Sequence, residues 1–389
     1  MIYLDNNATT RLDDEVLEAM LPYLKEQYGN ASSLQHRLGR NANQAIEKSR
    51  LSIANYFGVS NKEIFFTSGA TESINMVLRG VFDRYQSIGK HIITTRSEHK
   101  AVLNTLENLE KKGAEISYIP LQTNGKIDPK DIQQAIRKDT ILIVIMHANN
   151  ETGVLQDIHK IAEIANQNQI LFFTDSTQSL GKIPFDYVKS GVDMFCFSAH
   201  KFHGPKGAGG LYIRRKSRPI QIEPIVSGGK QENGLRGGTY NTPAIVGMGK
   251  AFESFNPNHA NEIKILRDYL ELRLCNEIEE TTIHAQTADR LYNTSNVLFK
   301  HVRSSELMNK LPNIALSSGS ACVSGDRDPS HVLIAMGITE EDALCSIRFG
   351  LSKYTTKEEI DIAVEAIKDA VYTIRGQSPI WQLYKLNAL

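Results

Sequence analysis

One lysine, Lys201, follows an apolar run of the sequence at residues 192–197, inside a polar and glycine-rich stretch at 198–207. The apolar run is typical of a buried strand, so Lys201 is expected at a strand end, where partial loss of solvent favours the neutral amine. A neutral lysine amine attacks carbonyl groups and forms a Schiff base with an aldehyde cofactor such as pyridoxal phosphate (PLP). Taken alone, a lysine after a strand is more often a solvated loop residue, so other residues have to decide.

Polar residues also follow two earlier apolar runs. Residues 67–73 come after the run at 64–66 and open a helical pattern. Their small side chains, hydroxyls and helix-start amides suit a phosphate group, although a plain helix cap uses the same residue types. His99 follows the run at 92–94, where a histidine can stack on a flat ring, shuttle protons, or simply be a solvated loop residue.

Two further strand ends carry amide and carboxylate side chains. Asn149 and Asn150 follow the run at 141–145, where they either mark a turn or donate to a phenolate or carboxylate. Asp175 closes the run at 170–173, and a carboxylate at the mouth of an apolar strand needs a cationic partner. A protonated pyridine nitrogen is such a partner and makes the ring a better electron sink; capping the next turn is the alternative.

The order of these segments predicts the fold class. Short apolar runs alternate with helical patterns from about residue 60 to residue 215, which is typical of an α/β protein with a mostly parallel sheet covered on both faces. The predicted strands lie at 64–66, 92–94, 116–119, 141–145, 170–173 and 194–197, and the predicted helices at 72–85, 100–112, 128–138 and 157–168. Ligands of such sheets bind at the carboxyl ends of the strands, where the polar residues lie.

The pattern changes near residue 257 and predicts a second domain. A long amphipathic helix at 259–279 is followed by a strand at about 295–300, a helix at about 304–311, a small-residue loop and a last helix at 356–375. We therefore expect a large domain at 14–256 and a smaller α+β domain formed by 1–13 and 257–389, which carries a mobile loop at about 317–328.

Composition excludes several function classes. The chain has 389 residues, with 44 basic and 44 acidic side chains, so no net charge draws it to nucleic acid or to an anionic membrane. No apolar run reaches membrane-spanning length, and the N-terminus lacks the pattern of a signal peptide. We expect a cytoplasmic protein with no nucleic-acid or membrane partner.

The four cysteines divide into two kinds. Cys196, Cys275 and Cys345 fall in or beside predicted strands and helices, which indicates small buried core residues. Cys322 lies in a stretch of small residues at 317–325 without apolar periodicity, so the stretch is predicted to be mobile and the interpretation as a buried core residue does not suit Cys322. No CxxC pair is present, which favours a reducing compartment, and a zinc site of Cys322 with histidines lacks the usual ligand spacing.

Taken together, the motifs resemble the group I cysteine desulfurases of the NifS/IscS type, which are fold-type I PLP enzymes of the class-V aminotransferase superfamily. The resemblance covers nearly the whole sequence. The motifs that carry it are YLDNNATT at 3–10, GATES at 69–73, NNETG at 149–153, SGSAC at 318–322, IRF at 347–349 and YTT at 354–356. It implies a large domain with a mostly parallel seven-stranded sheet sandwiched by helices, plus the smaller α+β domain.

The resemblance also implies roles around the cofactor ring. Lys201 would bind PLP covalently, and His99 would stack on the ring and assist proton transfer. Asp175 would pair with the pyridine nitrogen, and Gln178 would donate to the phenolate oxygen. Asn150 would contact both the cofactor and the substrate.

Further implied roles concern the phosphate, the substrate and the sulfur. Ala70, Thr71, Ser198 and His200 would hold the phosphate, and Thr239 would reach the phosphate held by the partner subunit of a homodimer. Arg348 would grip the substrate carboxylate with Asn150, since an arginine fork suits that geometry. Cys322 would take the sulfur as a persulfide, through which it would also be a transient iron–sulfur ligand, the only metal role expected.

The function implied is conversion of L-cysteine to L-alanine, with the sulfur delivered to an iron–sulfur scaffold protein of the IscU/NifU type. Two rivals share the fold: a class-V aminotransferase, which needs no loop cysteine, and a selenocysteine lyase. A non-catalytic sulfur-relay scaffold is a third alternative, against which Lys201 argues.

Overall fold

The structure is a computed structural model that describes residues 1–184, 186–216, 219–319 and 328–386. The strands in this part of the chain are β1 (Ile2–Tyr3), β2 (Ile64–Thr67), β3 (His91–Thr95), β4 (Glu115–Ile119), β5 (Thr140–Val144), β6 (Leu171–Asp175), β7 (Met194–Ser198), β8 (Gly209–Ile213), β9 (Thr281–Ile283), β10 (Thr294–Phe299), β11 (Ile314–Ala315) and β12 (Ser346–Gly350).

Helices occur throughout the described part of the chain. They are α1 (Asp14–Lys25), α2 (Arg37–Phe57), α3 (Ala70–Tyr85), α4 (Lys100–Glu110), α5 (Pro129–Ala135), α6 (Ile158–Gln167), α7 (Tyr187–Ser190), α8 (Thr242–Glu253), α9 (His259–Glu277), α10 (Ser304–Lys310), α11 (His331–Ala335), α12 (Glu340–Leu344), α13 (Lys357–Gln377) and α14 (Pro379–Lys385). Among the described residues, no helix is long and apolar enough to span a bilayer.

Seven strands form the main sheet in the order β2-β8-β7-β6-β5-β3-β4. All pairs are parallel except those of β8, which runs antiparallel to both of its neighbours. This confirms the predicted α/β class and a mostly parallel sheet. The inner strands β5, β6 and β7 are mostly apolar and almost fully buried because helices cover both faces, which is why the sequence shows continuous apolar runs there and not alternation.

Strand β8 was missed from the sequence because it begins with two glycines. Close packing leaves no room for a side chain at either glycine. A Cβ on Gly209 would lie 2.5 Å from the Cα of Gly69, and a Cβ on Gly210 would lie 2.3 Å from the ring of Phe197. The strand can therefore approach the loop before α3 only where it carries no side chain.

A second body of structure packs around a three-stranded sheet in the order β12-β10-β9. Its apolar core includes residues of α9, α13 and the strands, and also Leu4 from the N-terminal segment, whereas Val16 belongs to the core of the main sheet. Strand β1 pairs in parallel with β11. The packing of Leu4 is consistent with the predicted assignment of residues 1–13, and the domain bounds themselves stay a prediction.

Two expectations from the sequence are wrong. The predicted last helix ends near residue 375, but α14 follows it, because Ser378 caps the new helix and accepts from the Trp381 amide. Pro379 stands at the first position of that helix, where a proline is tolerated because its missing amide hydrogen would have no partner there. The other error is Cys275, which is exposed on α9 and not a buried core residue.

A buried ion pair fastens the segment before α8 to the main sheet. Arg50 of α2 donates to both carboxylate oxygens of Glu232 at 2.8 Å, and the Phe66 amide of β2 donates to the same carboxylate at 2.8 Å. Both side chains are buried. A second ion pair joins Arg50 to Glu47, which is half exposed.

Replacing Glu232 should destabilise the protein far more than replacing Glu47. Glu232→Gln leaves the Arg50 guanidinium buried without its counter-charge, and we expect a loss of about 3 kcal/mol in the free energy of unfolding. Glu47→Gln is the matched control and should cost less than about 1 kcal/mol, because exposed ion pairs contribute little. Urea unfolding followed by circular dichroism measures both; equal losses would contradict the assignment.

Candidate active site

Lys201 ends a short helical turn, Ala199–Lys201, that follows β7 directly. Its ammonium nitrogen Nζ donates to the backbone carbonyl oxygens of Asn7 at 2.6 Å and Ala8 at 2.8 Å. The predicted nucleophilic amine therefore lies at the carboxyl end of a central strand. The N-terminal segment of the chain fixes its direction.

Asp175 lies at the end of β6, the strand next to β7. Its Oδ1 accepts from the Thr177 amide at 2.9 Å and from the Cys196 thiol at 3.5 Å. No described residue donates to Oδ2, although the residue is buried. A buried carboxylate with one oxygen held and the other unshared is suited to a protonated ring nitrogen.

His99 stands at the N-terminus of α4, and the Ala101 amide donates to its Nδ1 at 3.1 Å. An amide can only donate, so Nδ1 is unprotonated and the proton of the neutral ring is on Nε2. Burial lowers the pKa of His99, with Lys201 and His331 acting in the same direction and Asp175 opposing them. The ring is therefore a neutral donor at Nε2.

The loop between β2 and α3 fits a phosphate group. The first amides of α3, at Ala70 and Thr71, have no partner inside the helix, as at any helix N-terminus. Gly69 has φ +152°, and a Cβ built on it would lie 3.4 Å from the Ser198 hydroxyl. Gly209 also approaches Gly69 closely, so the space beside this loop stays open only because neither residue has a side chain.

His200 adjoins this loop from the turn after β7. Its Nδ1 lies 3.1 Å from the Thr9 hydroxyl, and its carbonyl accepts from Thr10. Burial, reinforced by Lys201, lowers the pKa of His200 to about 4, so the imidazole is neutral at pH 7. It can hold an anion as a neutral hydrogen-bond donor.

Gln178 is buried and completes the wall next to Lys201. Its Nε2 donates to the carbonyl oxygen of Asn7 at 2.9 Å, and its Oε1 accepts from Lys182 at 2.7 Å. The Asn7 carbonyl thus serves both Gln178 and Lys201. The sequence assigned no site role to Asn7 or Lys182. Asn7 acts through its backbone carbonyl, which any residue type could supply, so its side chain gives no signal. Lys182 follows Gly181, a pair that is typical of a surface turn.

Arg348 projects from β12 and is buried beside the same segment. Its Nη2 donates to Asp5 at 2.7 Å and its Nη1 to the carbonyl of Asn150 at 3.1 Å. Its Nε is buried without a partner among the described residues. An arginine with an unshared donor at the mouth of the site suits a carboxylate ligand. Asp5 was not predicted, and its place in the 3–10 motif was the available signal.

The tandem asparagines have different surroundings. Asn149 donates to the Ser97 carbonyl and accepts from Glu151 and Thr152, so its side chain is consumed by the turn. The structure shows no hydrogen bond for the side chain of Asn150 within the described ranges. The geometry leaves Asn150 available for a ligand, and Asn150 is the one of the two asparagines to which the family resemblance gives that role.

Of the predicted residues in the described part of the chain, Thr239 is not brought to this group. Thr239 is exposed on the segment before α8, which Arg236 ties to Glu72 of α3 at 2.7 Å. Cys322 lies outside the described residues, as does most of the predicted loop at 317–328. Over the described ranges, no group of three or more histidine, cysteine or acidic side chains could hold a metal ion.

Comparison with known proteins identifies the family. Residues 2–362 match the family described as aminotransferase class-V. The chain belongs to the class-V aminotransferase family. A relative in Anaeromyxobacter sp. (strain Fw109-5), named cysteine desulfurase IscS, is 45% identical over 387 residues, which is 99% of this chain and 96% of that protein. A Proteus mirabilis (strain HI4320) protein of the same name is 46% identical over 389 residues, with the same coverage.

This chain also superposes on solved structures of similar proteins. A NifS-like protein superposes with a TM-score of 0.89 at 40% identity, covering 96% of this chain and 99% of that chain. A structure described as SspA in complex with cysteine superposes with a TM-score of 0.82 at 36% identity, covering 92% and 100%. The family is PLP-dependent, and the unshared Asp175 oxygen and the Gly69 loop fit that cofactor.

The buried histidine at the end of β5 should make the stability of this class-V protein depend on pH. Burial lowers the pKa of His147 to about 3, while an unfolded histidine takes its proton near pH 6.5. The folded state therefore binds fewer protons below that pH, and stability falls as the pH falls. We expect His147 to account for a loss of about 2 kcal/mol between pH 7 and pH 5.

Urea unfolding of the cofactor-free protein at pH 7 and pH 5 measures this loss. The His147→Gln variant should lose less stability over the interval than the wild type, by about the amount assigned to the histidine. An unchanged pH dependence in the variant would mean that His147 takes up its proton in the folded state.

Proposed function

We propose that this protein is a PLP-dependent cysteine desulfurase, which converts L-cysteine to L-alanine and passes on the sulfur as a persulfide of Cys322. The observation that carries the proposal is the 45% identity to an IscS cysteine desulfurase over 99% of the chain. The convergence of Lys201, Asp175 and His99 at one edge of the sheet supports it.

The residues that would hold the cofactor surround that edge. Ala70, Thr71, Ser198 and His200 would bind the phosphate, Asp175 Oδ2 the ring nitrogen, and Gln178 Nε2 the phenolate oxygen. When bound at Lys201, PLP supplies an aldehyde that takes the substrate amine and a ring that accepts the electron density left at Cα.

Arg348 and Asn150 would orient the substrate. The guanidinium has one buried donor unshared, and binding a carboxylate there would satisfy it. The hydrogen bond from Nη2 to Asp5 fixes the orientation of the Arg348 guanidinium. The amino acid would then lie with its α-hydrogen within reach of Lys201.

Protons would be moved by Lys201 and His99. The Lys201 amine would take the α-proton and return one to the product carbon. His99, neutral with its proton on Nε2, would donate a hydrogen bond to the sulfur groups and so assist proton transfer there. Its lowered pKa keeps the ring neutral at pH 7.

Cys322 would make the sulfur transfer. Its thiolate attacks the substrate sulfur, an S–S bond forms, and the electron pair of the broken C–S bond stays with the product carbon, which becomes alanine after protonation. The persulfide would pass to an iron–sulfur scaffold protein of the IscU/NifU type, with a transient iron–sulfur contact at Cys322. A cytoplasmic setting completes this proposal.

The proposal includes a homodimer in which Thr239 reaches the phosphate held by the partner subunit. Thr239 is exposed, as this role requires. Helix α1 also exposes Leu17, Leu21 and Leu24, an apolar stripe that a second copy of the chain could cover. The predicted division into two domains belongs to the same picture.

Mass spectrometry of Cys322 tests the function directly. After incubation of the PLP-loaded protein with L-cysteine, we expect the mass of one extra sulfur atom on the Cys322 peptide and stoichiometric alanine in solution. Cys322→Ala should take up PLP but form neither persulfide nor alanine. Cys275→Ala, at the exposed cysteine, is the matched control and should behave as the wild type.

A keto acid formed in place of alanine would favour the aminotransferase rival. Full turnover by Cys322→Ala would remove the desulfurase assignment, and a marked preference for selenocysteine over cysteine would favour the lyase. A protein that takes up no PLP would favour the non-catalytic scaffold.

Arg348→Lys should weaken substrate binding. A lysine cannot offer two parallel donors, so we expect KM for L-cysteine to rise by about 10- to 100-fold with a smaller change in kcat. Steady-state kinetics measures the effect, with Arg137→Lys, at an exposed arginine, as the control. A fall in kcat at unchanged KM would contradict a role in binding the carboxylate.

A further inference from the structure

We propose that Lys182 is a positioning residue of the site: it locks the amide of Gln178 with the nitrogen facing the cofactor position and adds a second cation beside Lys201. The inference rests on the proposed PLP-dependent function. Neither the sequence motifs nor the implied family roles give Lys182 a part.

The amide orientation of Gln178 is determined from both sides. When protonated, Lys182 Nζ is a donor only, so the atom that meets it at 2.7 Å is then the Gln178 oxygen. The Asn7 carbonyl is an acceptor only, so the atom that meets it at 2.9 Å must be the Gln178 nitrogen. Two independent contacts therefore agree, and the second hydrogen of Nε2 is left for a ligand.

The contacts join the two lysines through a short chain of groups. Lys182 donates to Gln178, Gln178 donates to the Asn7 carbonyl, and Lys201 donates to the same carbonyl at 2.6 Å. Removing Lys182 would leave Gln178 Oε1 without its donor. The amide could then turn and present an acceptor where the cofactor needs a donor.

Stability alone does not account for a lysine at this position. Lys182 is 5% exposed, and the ion pairs of the described residues include none for it. Burying an ammonium against a neutral amide costs free energy that an apolar side chain of similar size would avoid. A residue that is costly to the fold yet directed at Gln178 points to a role in the site.

The surroundings of Lys182 are mostly cationic. Lys201 comes from the turn after β7 and Arg348 from β12, while His200 and His203 lie close enough to feel its charge. Asp13, paired with Lys353, lines the same cavity of about 50 Å³, together with His203 and His259. Burial, with Lys201 and Arg348, lowers the pKa of Lys182 to about 7.

Electrostatic coupling between two cations is reciprocal. The interaction that lowers the pKa of Lys182 also disfavours the protonated form of Lys201 whenever Lys182 is charged. The neutral amine is the form that reacts with an aldehyde. Lys182 thus supports the site twice, through the Gln178 donor and through its charge.

The variants Lys182→Met and Lys182→Arg test the proposal with two readouts that do not depend on turnover. The first is the pH titration of the absorbance of bound PLP without substrate. The second is the pH dependence of Lys201 acylation in the cofactor-free protein, read by peptide mass spectrometry. For Lys182→Met we expect both midpoints to rise by about half a pH unit or more, because a donor and a cation are lost. Lys182→Arg, which keeps both, should stay close to the wild type.

A double-variant experiment separates positioning from general damage. Gln178→Leu should raise the absorbance midpoint through loss of the donor alone, and the double variant should exceed it only by the contribution of the lost Lys182 charge, because the donor effect of both variants passes through one amide. Lys182→Met with unchanged midpoints but lower stability would overturn the proposal and leave a structural lysine. Borohydride trapping of PLP on Lys201 in the wild type is the separate check, since its failure would remove the proposed function itself.

Discussion

The carbonyl oxygen of Asn7 is the acceptor on which the candidate site depends. It receives hydrogen bonds from Lys201 and from Gln178, and the neighbouring Ala8 carbonyl receives a second bond from Lys201. Carbonyl oxygens are neutral, so they aim an ammonium without holding its proton as firmly as a carboxylate would. The side chain of Asn7 is itself held by hydrogen bonds to Thr294 and Asn293. Because Thr294 belongs to β10, the position of the second sheet helps to fix the carbonyl that binds the Lys201 amine.

The main sheet supplies the other half of the geometry. Strands β6 and β7 are neighbours, so their last residues bring Asp175 and the turn of Lys201 to one edge. The first amides of α3 face the same edge because β8, the one antiparallel strand, runs between β2 and β7. The glycines of β8 permit this approach, and the Gly69 loop can then lie against Ser198.

The sequence is informative where chemistry follows a buried strand. Asp175, His99 and Lys201 could be predicted because apolar runs mark strands, and parallel strands end at one edge. Asn7 and Asp5 could not be given roles in the same way, because they act from a segment whose partners are hundreds of residues away. Lys182 was missed because burial of a lysine after a glycine depends on tertiary packing that no local pattern reports. Cys275 is the opposite case: the sequence predicted a buried position on a helix, and the tertiary packing leaves it exposed.

The N-terminal segment also bears on how the protein is made. Strand β1 pairs with β11, the Gly350 amide donates to the Leu4 carbonyl, and Arg348 binds Asp5. Residues 2–5 must therefore wait until synthesis has passed residue 350 before they find all of these partners. Until then, the amine of Lys201 lacks its acceptors, so a nascent or truncated chain ending before β11 would have the sheet without a finished reaction centre.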